Sequence, residues 1–289
     1  MCVVACVLVL QHAHAATRDL PEVIESGVLR HIGVPYANFV TGSGDGLDVE
    51  LMQGFAAHLG VRYQYVTSTW PRMIGDLTGH HARRGDAGVE ILNSAPIRGD
   101  VIANGMTVLA WRSQVVDFSA PTFPSAVWLV ARSDATISPI RPTGSVTEDI
   151  QSVRDALRGI SVLTKENTCL DPGLYDLSET GAEVRLAGSG IEGDEMAPAI
   201  LHDAAESTLL DVPGALIALE IWPGALKVVG PVSENQTMAA AFRKDSPKLR
   251  AAFNVYLAQI RADGTYSRLV RKYFPAVFLY FAEFFPDRS

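Results

Sequence analysis

The alternation of short strand-like segments with amphipathic helix-like segments is the feature that most constrains how this chain can fold. Residues 28–34 have the apolar pattern of a buried strand, and residues 47–59 then carry Leu, Met and Phe at helical spacing before Gly60. The same patterns recur as strands at residues 61–66, 100–104, 127–132, 160–164, 208–210 and 228–232, and as helices at residues 70–77, 148–158 and 246–263. This alternation predicts an α/β protein with largely parallel sheets.

Two segments interrupt the alternation. Residues 80–97 are polar, rich in Gly and irregular, and we interpret them as a hairpin-like insertion. Residues 133–146 contain prolines and alternating polar residues, which is typical of an exposed connection. Neither segment is expected to contribute much to a hydrophobic core.

Composition and charge limit the class of protein. At 289 residues with 48% hydrophobic content, the chain is long enough for one large domain or two compact ones. The formal net charge is −8, and the basic groups at residues 83–84 and 268–272 are small. Because affinity for nucleic acid depends mainly on clustered Lys and Arg, a nucleic-acid partner is not expected.

The N-terminal residues have the pattern of an export signal. Residues 1–10 form a short apolar run without the usual positive charge, and Ala13-His14-Ala15 supplies the small residues that a signal peptidase accepts. We predict a signal peptide at residues 1–15, with the mature protein starting near Ala16. The alternative is a buried N-terminal strand.

Cysteine usage and hydropathy agree with an exported protein that does not span a membrane. Cys2 and Cys6 would leave with the signal, so Cys169 would remain alone and an internal disulfide is excluded. The apolar residues 276–285 cover about half the length that a membrane-spanning helix needs.

Three segments carry a resemblance to a known family. The first runs from Glu25-Ser26-Gly27-Val28-Leu29-Arg30 to Gly46-Leu47-Asp48-Val49-Glu50-Leu51. The second comprises residues 99–107, Arg112 and residues 116–121, and the third joins residues 263–266 to residues 272–274. Together they resemble the opening strand and helix, the central signature and the closing helix of the family 3 bacterial extracellular solute-binding proteins, which serve polar amino-acid transporters.

The resemblance implies the type II periplasmic binding protein fold, in which two α/β lobes are joined by two hinge strands. Lobe 1 would comprise residues 16–123 and 233–289, and lobe 2 residues 124–232. We place the crossings near residues 124–128 and 228–232. Ligand would stabilise the closed form by contacting both lobes at once.

The resemblance also implies a partner for a ligand carboxylate. Arg112 falls where the family has its ligand-binding Arg, and a planar guanidinium holds a carboxylate bidentately. Thr107 matches a position that donates to the ligand from the same loop. Leu109 stands where many members have a second hydroxyl, and one lost neutral hydrogen bond is worth on the order of 1 kcal/mol. Recognition is therefore expected to be weakened or redirected, and the ligand class stays open.

In the second lobe, the resemblance implies that Asp211 binds the ligand's ammonium and that Thr168 helps to bind its carboxylate. Asp211 stands at a strand end before Pro213, so it could equally cap a helix. Thr168 precedes a predicted helix start at Asp171-Pro172, where free amides suit an anion, but it could also be a plain turn residue.

Aromatic walls around the ligand side chain are the remaining site prediction. Trp70, Tyr36 and Phe39 lie in loops after strands, where family members place such walls, although aromatic residues are more often core. Cys169, beside Thr168, either faces the cleft or is a buried, inert thiol. The pair His80-His81 matches no metal-ligand spacing, and we predict no metal and no cofactor.

The sequence favours a binding protein over an enzyme. It has no Gly-x-Ser-x-Gly elbow, no nucleophile and base signature, and no metal motif, so no catalytic residue is predicted. We expect a periplasmic monomer that delivers an amino acid or a related small carboxylate to an ABC transporter permease. The alternatives are a ligand-sensing domain that acts on a separate partner and, on the same fold, a cyclohexadienyl dehydratase-like lyase.

Overall fold

The computed structural model describes residues 18–285. The predicted signal peptide, with Cys2 and Cys6, lies outside these residues. The helices are α1 (Leu20–Ser26), α2 (Leu47–His58), α3 (Met73–Thr78), α4 (Ala110–Ser113), α5 (Val146–Ala156), α6 (Met196–Leu201), α7 (Val212–Ile221), α8 (Pro247–Ala262), α9 (Thr265–Tyr273) and α10 (Val277–Tyr280). The strands are β1 (Val28–Gly33), β2 (Arg62–Thr67), β3 (His80–Gly85), β4 (Gly88–Ser94), β5 (Val101–Ile102), β6 (Asp117–Phe118), β7 (Phe123–Ser125), β8 (Val127–Arg132), β9 (Ser161–Thr164), β10 (Glu183–Leu186), β11 (Ser207–Asp211), β12 (Leu226–Pro231), β13 (Gln236–Met238) and β14 (Ala241–Phe242).

The strands form two five-stranded sheets, one in each lobe. The first has the order β2-β1-β5-β14-β6 and the second has the order β10-β9-β11-β8-β12. The strand β1 pairs in parallel with β2 and β5, whereas β14 is antiparallel to β5 and β6. In the second sheet β9 is parallel to β10 and β11, but β8 is antiparallel to β11 and β12. Four of the five strands in each sheet therefore run in the same direction, which confirms the expectation of largely parallel sheets. The exceptions are β8 and β14, each of which follows a crossing between the lobes and runs in the opposite direction.

Two short strands connect the lobes. The strand β7 leads from the first sheet into the second, and β13 leads back, so both ends of the described chain belong to the first lobe. The two pair antiparallel, from Gln236 opposite Ser125 to Met238 opposite Phe123. Residues 228–232, predicted as the second crossing, lie instead largely within β12 of the second sheet, and the paired segment of the return path is Gln236–Met238.

Each lobe has its own hydrophobic core. In the first lobe, the buried aromatic residues Phe55, Phe253 and Phe242 pack between the sheet and α8, which starts at Pro247. In the second lobe, Val153 of α5 is fully buried with the apolar residues of β8, β9 and β11. Separate cores allow the lobes to move as rigid units about the connecting strands.

The predicted insertion is a β-hairpin formed by β3 and β4, hereafter the insertion hairpin. The strands pair from His80 opposite Ser94 to Gly85 opposite Gly88, and Gly88 has a φ of +125° at the turn. The hairpin packs against α3 and α4 of the first lobe. It thereby lies beside the mouth of the cleft between the lobes.

None of the helices among residues 18–285 has both the length and the apolar character that crossing a bilayer requires.

Candidate ligand-binding site

A cavity of about 400 Å³ lies between the two lobes. The first lobe contributes Tyr36, Trp70, Gly105, Thr107 and Arg112, and the second contributes Lys165, Thr168, Cys169, Leu170, Glu192, Gly193 and Asp211. Seven of the eight predicted site residues therefore line this cavity, and the exception is Phe39. Clefts between two lobes are a common place for small-molecule sites.

Arg112 provides a buried positive charge at this cavity. It lies on α4, and its side chain donates from Nη1 to the carbonyl of Thr107 at 3.0 Å and from Nη2 to the carbonyl of Asn167 at 3.4 Å. The Nε hydrogen has no acceptor, and within residues 18–285 no carboxylate forms an ion pair with this guanidinium. Burial lowers the pKa of Arg112 to about 10, so the group stays cationic at neutral pH. A buried cation without a counter-charge is costly, and an anionic ligand would offset that cost.

Asp211 provides the opposite charge from the second lobe. It ends β11 and caps α7, where Oδ1 accepts the amide hydrogen of Gly214 at 3.0 Å. The same oxygen accepts the hydroxyl hydrogen of Tyr36, and Sγ of Cys169 lies 3.9 Å from Oδ2. Burial raises the pKa of this carboxyl group, and its hydrogen bonds counteract part of that rise. Asp211 therefore caps a helix and also lines the cavity, while its contact with a ligand ammonium stays a prediction.

Tyr36 reaches across the cleft to make that contact. Its ring packs edge-on against Trp70, with 5.4 Å between the ring centroids, and its backbone forms a bridge with Val40. Burial raises the pKa of the Tyr36 hydroxyl, and the charge of Asp211 raises it further. Tyr36 thus remains a hydrogen-bond donor, and it occupies one acceptor position where a ligand ammonium was expected.

Thr168 lines the cavity from the loop after β9, but its hydroxyl makes its hydrogen bonds within that loop. It donates to the carbonyl of Lys165 at 2.8 Å and accepts from the amide of Leu170 at 3.0 Å. The backbone amide of Thr168 has no acceptor among the residues that the structure describes. The helix predicted after Asp171 is a single 3-10 turn, Pro172–Leu174, so any contribution to anion binding comes from loop amides rather than from a helix terminus.

Cys169 is a free, buried cysteine in the same loop. Burial raises the pKa of its thiol to about 12, with a further contribution from the charge of Asp211. The thiol is therefore protonated at neutral pH, and thiolate chemistry is not expected at this position.

Phe39 must be corrected from a wall of the cavity to a core residue. It is 1% exposed and packs on Phe123 and Phe274, with ring centroids 5.1 and 4.7 Å away. Its ring also lies against Gly105, where an added Cβ would stand 2.5 Å from Cδ2 of Phe39. Phe39 therefore supports the cavity wall from behind. Leu109, at the start of α4, packs in the core and offers no side-chain cap to that helix.

Several cavity residues were missed in the sequence. Lys165 directly follows β9 and forms an ion pair with Glu192 at 3.5 Å, so these two charges compensate each other. Gly105 is held by Asp48, whose Oδ2 accepts its amide hydrogen at 2.7 Å. Lys165 could have been found from its place at the end of a predicted strand in the Thr168 loop, whereas Glu192 lies in a segment without periodic pattern.

The insertion hairpin adds a second set of contacts between the lobes. The amide of Arg84 donates to Oδ1 of Asn167 at 2.9 Å, and Nη1 of Arg84 pairs with Oδ1 of Asp171 at 3.1 Å. Its Nη2 donates to the carbonyl of Gly173 at 3.1 Å. The hairpin therefore holds the Asn167 loop of the second lobe, whose carbonyl also contacts Arg112. No group of His, Cys, Asp and Glu residues in the described part of the chain could hold a metal ion.

The fold and the interlobe cavity define a two-lobed solute-binding protein. Residues 93–276 match the family described as bacterial extracellular solute-binding proteins, family 3, and this chain belongs to that family. The match spans more than half of the chain and includes the Arg112 and Asp211 segments.

Two curated relatives are similar to this chain over most of its length. Over 234 residues the chain is 27% identical to "Membrane-bound lytic murein transglycosylase F" of Desulfosudis oleivorans, covering 80% of this chain and 44% of that protein. It thus spans less than half the length of this relative. It is 24% identical over 240 residues to "L-cystine-binding protein TcyJ" of Escherichia coli K12, covering 80% of this chain and 74% of that protein.

Solved structures support the fold independently. A mutant of ArgBP from T. maritima has a TM-score of 0.68 at 23% identity, covering 89% of this chain and 99% of that one. An ancestral arginine-binding protein bound to arginine has a TM-score of 0.67 at 20% identity, covering 86% of this chain and 98% of that one. At such low identity these similarities establish the two-lobed α/β fold and leave the ligand to be argued from the cavity.

Proposed function

We propose that this protein captures an amino acid or a related small carboxylate between its lobes and delivers it, as a periplasmic monomer, to an ABC transporter permease. The observation that carries the proposal is Arg112, a buried guanidinium that lines the interlobe cavity and forms no ion pair within residues 18–285. A ligand carboxylate would supply both the missing charge and an acceptor for the free hydrogen on Nε.

Capture is proposed to close the cleft by movement of residues 124–232 against residues 16–123 and 233–289. Arg112 of the first lobe and the Thr168 loop of the second lobe line one cavity, so a ligand there would contact both lobes. Ligand would therefore favour the closed form by binding it more tightly than the open form.

A ligand-sensing role is the second candidate. It is favoured by the similarity to a lytic murein transglycosylase, of which this chain matches 44%, so that the same fold is one part of a larger protein there. In that case the closed lobes would signal to a separate partner. A lyase role would need a general acid or base aimed at the substrate, and Arg112 and Asp211 are accounted for by ligand binding and helix capping.

A thermal-shift screen of the mature chain against amino acids and small carboxylic acids tests the proposal. A true ligand at 100 times its dissociation constant adds about 2.7 kcal/mol to the free energy of unfolding. We expect Arg112→Ala to abolish the shift, and Arg250→Ala to retain it, since Arg250 pairs with Asp117 in the first lobe and does not line the cavity. The proposal fails if no compound in the panel changes the melting temperature.

A further inference from the structure

A second and larger cavity, of about 1050 Å³, adjoins the one just described. The two cavities share four lining residues: Trp70, Arg112, Lys165 and Thr168. The insertion hairpin contributes to the second cavity through Ala82, Arg83 and Leu92, and we call this space the hairpin compartment. Because Arg112 lines both cavities, a ligand whose carboxylate binds Arg112 can extend into the hairpin compartment.

The lining of the hairpin compartment is mainly apolar. Its most deeply buried members belong to the first lobe and are Met73, Ile74, Met106 and Trp111. Met106 and Trp111 lie on either side of Arg112 and Thr107 in the segment that leads into α4. An apolar surface therefore adjoins the group that is proposed to hold the ligand carboxylate.

Two apolar side chains of the compartment come from different lobes and are left exposed by the protein. Leu92, on β4 of the hairpin, is 39% exposed, and Leu186, at the end of β10, is 53% exposed. Removal of apolar surface from water is favourable, so an apolar ligand body would be stabilised by covering both leucines. Such a body would contact both lobes and thereby favour the closed form.

The charged groups of the compartment give a ligand side chain little electrostatic attraction. They are Arg83, Lys165, Glu166 and Arg112. Arg83 pairs with Glu90 at 2.8 Å, and Lys165 pairs with Glu192 at 3.5 Å. Glu166 is exposed, and an ion pair between a cationic ligand side chain and an exposed carboxylate contributes little because water screens it. Apolar burial is therefore the main source of selectivity in this compartment.

The head group of the ligand is bound outside the hairpin compartment. Asp211 lines the first cavity and does not line the second. Its Oδ1 accepts from Tyr36 and Gly214, whereas the nearest donor to Oδ2 is the thiol of Cys169 at 3.9 Å. An ammonium directed at Oδ2 would thus lie in the first cavity, so the choice of side chain is independent of whether the ligand carries an ammonium.

Resting on the function proposed above, we infer that the insertion hairpin determines the specificity of this site, and that the preferred ligand carries a large apolar side chain in the hairpin compartment. Arg112 binds the carboxylate of this ligand. Leu92 of the hairpin and Leu186 of the second lobe contact the side chain.

Two pairs of compounds that differ by one phenyl ring test the preference for a large apolar side chain: phenylalanine with alanine, and 3-phenylpropanoate with propanoate. Within each pair the head group is the same, so the comparison does not depend on the ammonium. We expect the phenyl compound of a pair to have a dissociation constant at least about tenfold lower, measured by titration calorimetry on the full mature chain. Arginine, with the same head group as phenylalanine and a cationic side chain, should bind at least about tenfold more weakly than phenylalanine.

The outcomes separate this inference from the proposed function. If alanine or arginine binds as tightly as phenylalanine, or propanoate as tightly as 3-phenylpropanoate, the inference is wrong and the proposed function stands. The same holds if the wider panel yields only ligands without a large apolar side chain. If no compound in this set or in the wider panel binds, both are wrong.

Two neighbouring residues of β4 test the role of the hairpin. Consecutive side chains of a strand point to opposite faces, and Leu92 lines the compartment whereas Ile91, which is 52% exposed, does not. We expect Leu92→Asp to weaken binding of the tighter phenyl compound by roughly tenfold or more, because it places a carboxylate beside the apolar side chain of the ligand. The same variant should bind the compound without the ring as the unaltered protein does.

Ile91→Asp is the matched control and should leave the affinity for both compounds unchanged. Circular dichroism checks that both variants are folded. Equal effects of the two substitutions, or an equal loss for the compounds with and without the ring in Leu92→Asp, would overturn the role assigned to the hairpin.

Discussion

The hydroxyl of Tyr36 donates a hydrogen bond across the cleft to the carboxylate of Asp211. The two residues are 175 positions apart in the chain and belong to different lobes. The contact ties lobe closure to the acidic group at the end of β11. Tyr36 and Gly214 both use Oδ1, so the nearest donor to Oδ2 is the thiol of Cys169 at 3.9 Å.

Substitution of Tyr36 by Phe should weaken the closed form of the cleft. The variant loses a hydrogen bond to a charged group across the two lobes, and such a bond is worth about 1.5–3 kcal/mol. We expect the dissociation constant of the ligand found in the thermal-shift screen to rise by at least about tenfold, measured by titration calorimetry.

Tyr65→Phe is the control for that experiment. The hydroxyl of Tyr65 is buried and has no hydrogen-bond partner among the residues described, so its removal should leave the dissociation constant unchanged. If Tyr36→Phe also leaves the dissociation constant unchanged, the contact with Asp211 does not stabilise the closed form.

Substitution of Arg112 should separate binding from folding. Arg112→Ala removes a buried charge that forms no ion pair with the residues described, so the ligand-free protein should lose no more than about 1 kcal/mol of unfolding free energy. Arg112→Lys keeps the charge but loses the planar fork, and we expect ligand affinity to fall by at least roughly tenfold. Urea unfolding and calorimetry measure the two effects. Unchanged affinity in the Lys variant would argue against bidentate binding.

Arg84 should favour the closed form without touching the ligand. Its pair with Asp171 is partly buried, with 34% and 8% of the side chains exposed, and such a pair is worth up to about 1 kcal/mol. We expect Arg84→Ala to weaken ligand binding about fivefold and to increase the radius of gyration in small-angle scattering.

The control for Arg84 is Glu90→Ala on the same hairpin. Glu90 pairs only with Arg83 of the opposite strand, and both side chains are about half exposed. This variant should keep the radius of gyration and the affinity of the parent protein. An Arg84→Ala protein that is equally compact would show that the hairpin contact does not hold the lobes together.

Two buried groups in the first lobe should make opposite contributions to the pH dependence of stability. Burial lowers the pKa of His31 to about 4, below the unfolded value of 6.5. Its contribution to the free energy of unfolding is therefore present above pH 6.5 and is lost as the pH falls through 4. Burial raises the pKa of Asp48 to about 7, above the unfolded value of 3.8. Its contribution to the free energy of unfolding is therefore present below pH 3.8 and is lost as the pH rises through 7. At about 1.4 kcal/mol per pKa unit, the contribution of His31 is about 3 kcal/mol and that of Asp48 is about 4 kcal/mol. Because the two contributions change in opposite directions with pH, their effects on stability nearly cancel.

Asp48→Asn isolates one of the two groups. Asn keeps a carbonyl oxygen that can accept the amide hydrogen of Gly105, so the cavity wall should be preserved. We expect the unaltered protein to gain about 4 kcal/mol relative to this variant as the pH falls from 7 to 4, measured by urea unfolding across that range. A difference that does not change with pH would mean that Asp48 is ionised normally in the folded protein.

Local patterns in the sequence predicted much of the fold. The Ser246-Pro247 start and the periodic apolar residues gave α8 correctly, and residues 80–97 contain the predicted hairpin. In contrast, β14 consists of Ala241 and Phe242 alone, which is too short for any periodicity to be recognised. Its antiparallel entry into the first sheet, and hence the mixed sheets, depends on pairing between distant parts of the chain.

The candidate site was predictable where a residue falls within the family's central motif. Arg112 was predicted in this way, and it lies on α4 and lines the cavity. The contacts of Tyr36 with Asp211 and of Arg84 with Asp171 join residues 175 and 87 positions apart, and they exist only when the lobes are docked. Phe39, three residues after Tyr36, faces the opposite way, and nothing local distinguishes a cavity wall from the core layer behind it.

The insertion hairpin has a further consequence for how such a protein can change. Its first and last residues, His80 and Ser94, are paired directly opposite each other, so the chain leaves the lobe and returns to it at one point. A segment attached in this way can be shortened, lengthened or exchanged without disturbing the strands of the sheet, while Arg112 stays fixed on α4. The cross-lobe contact made by Arg84 and the position of the Arg112 guanidinium can therefore evolve, or be engineered, as two separate traits.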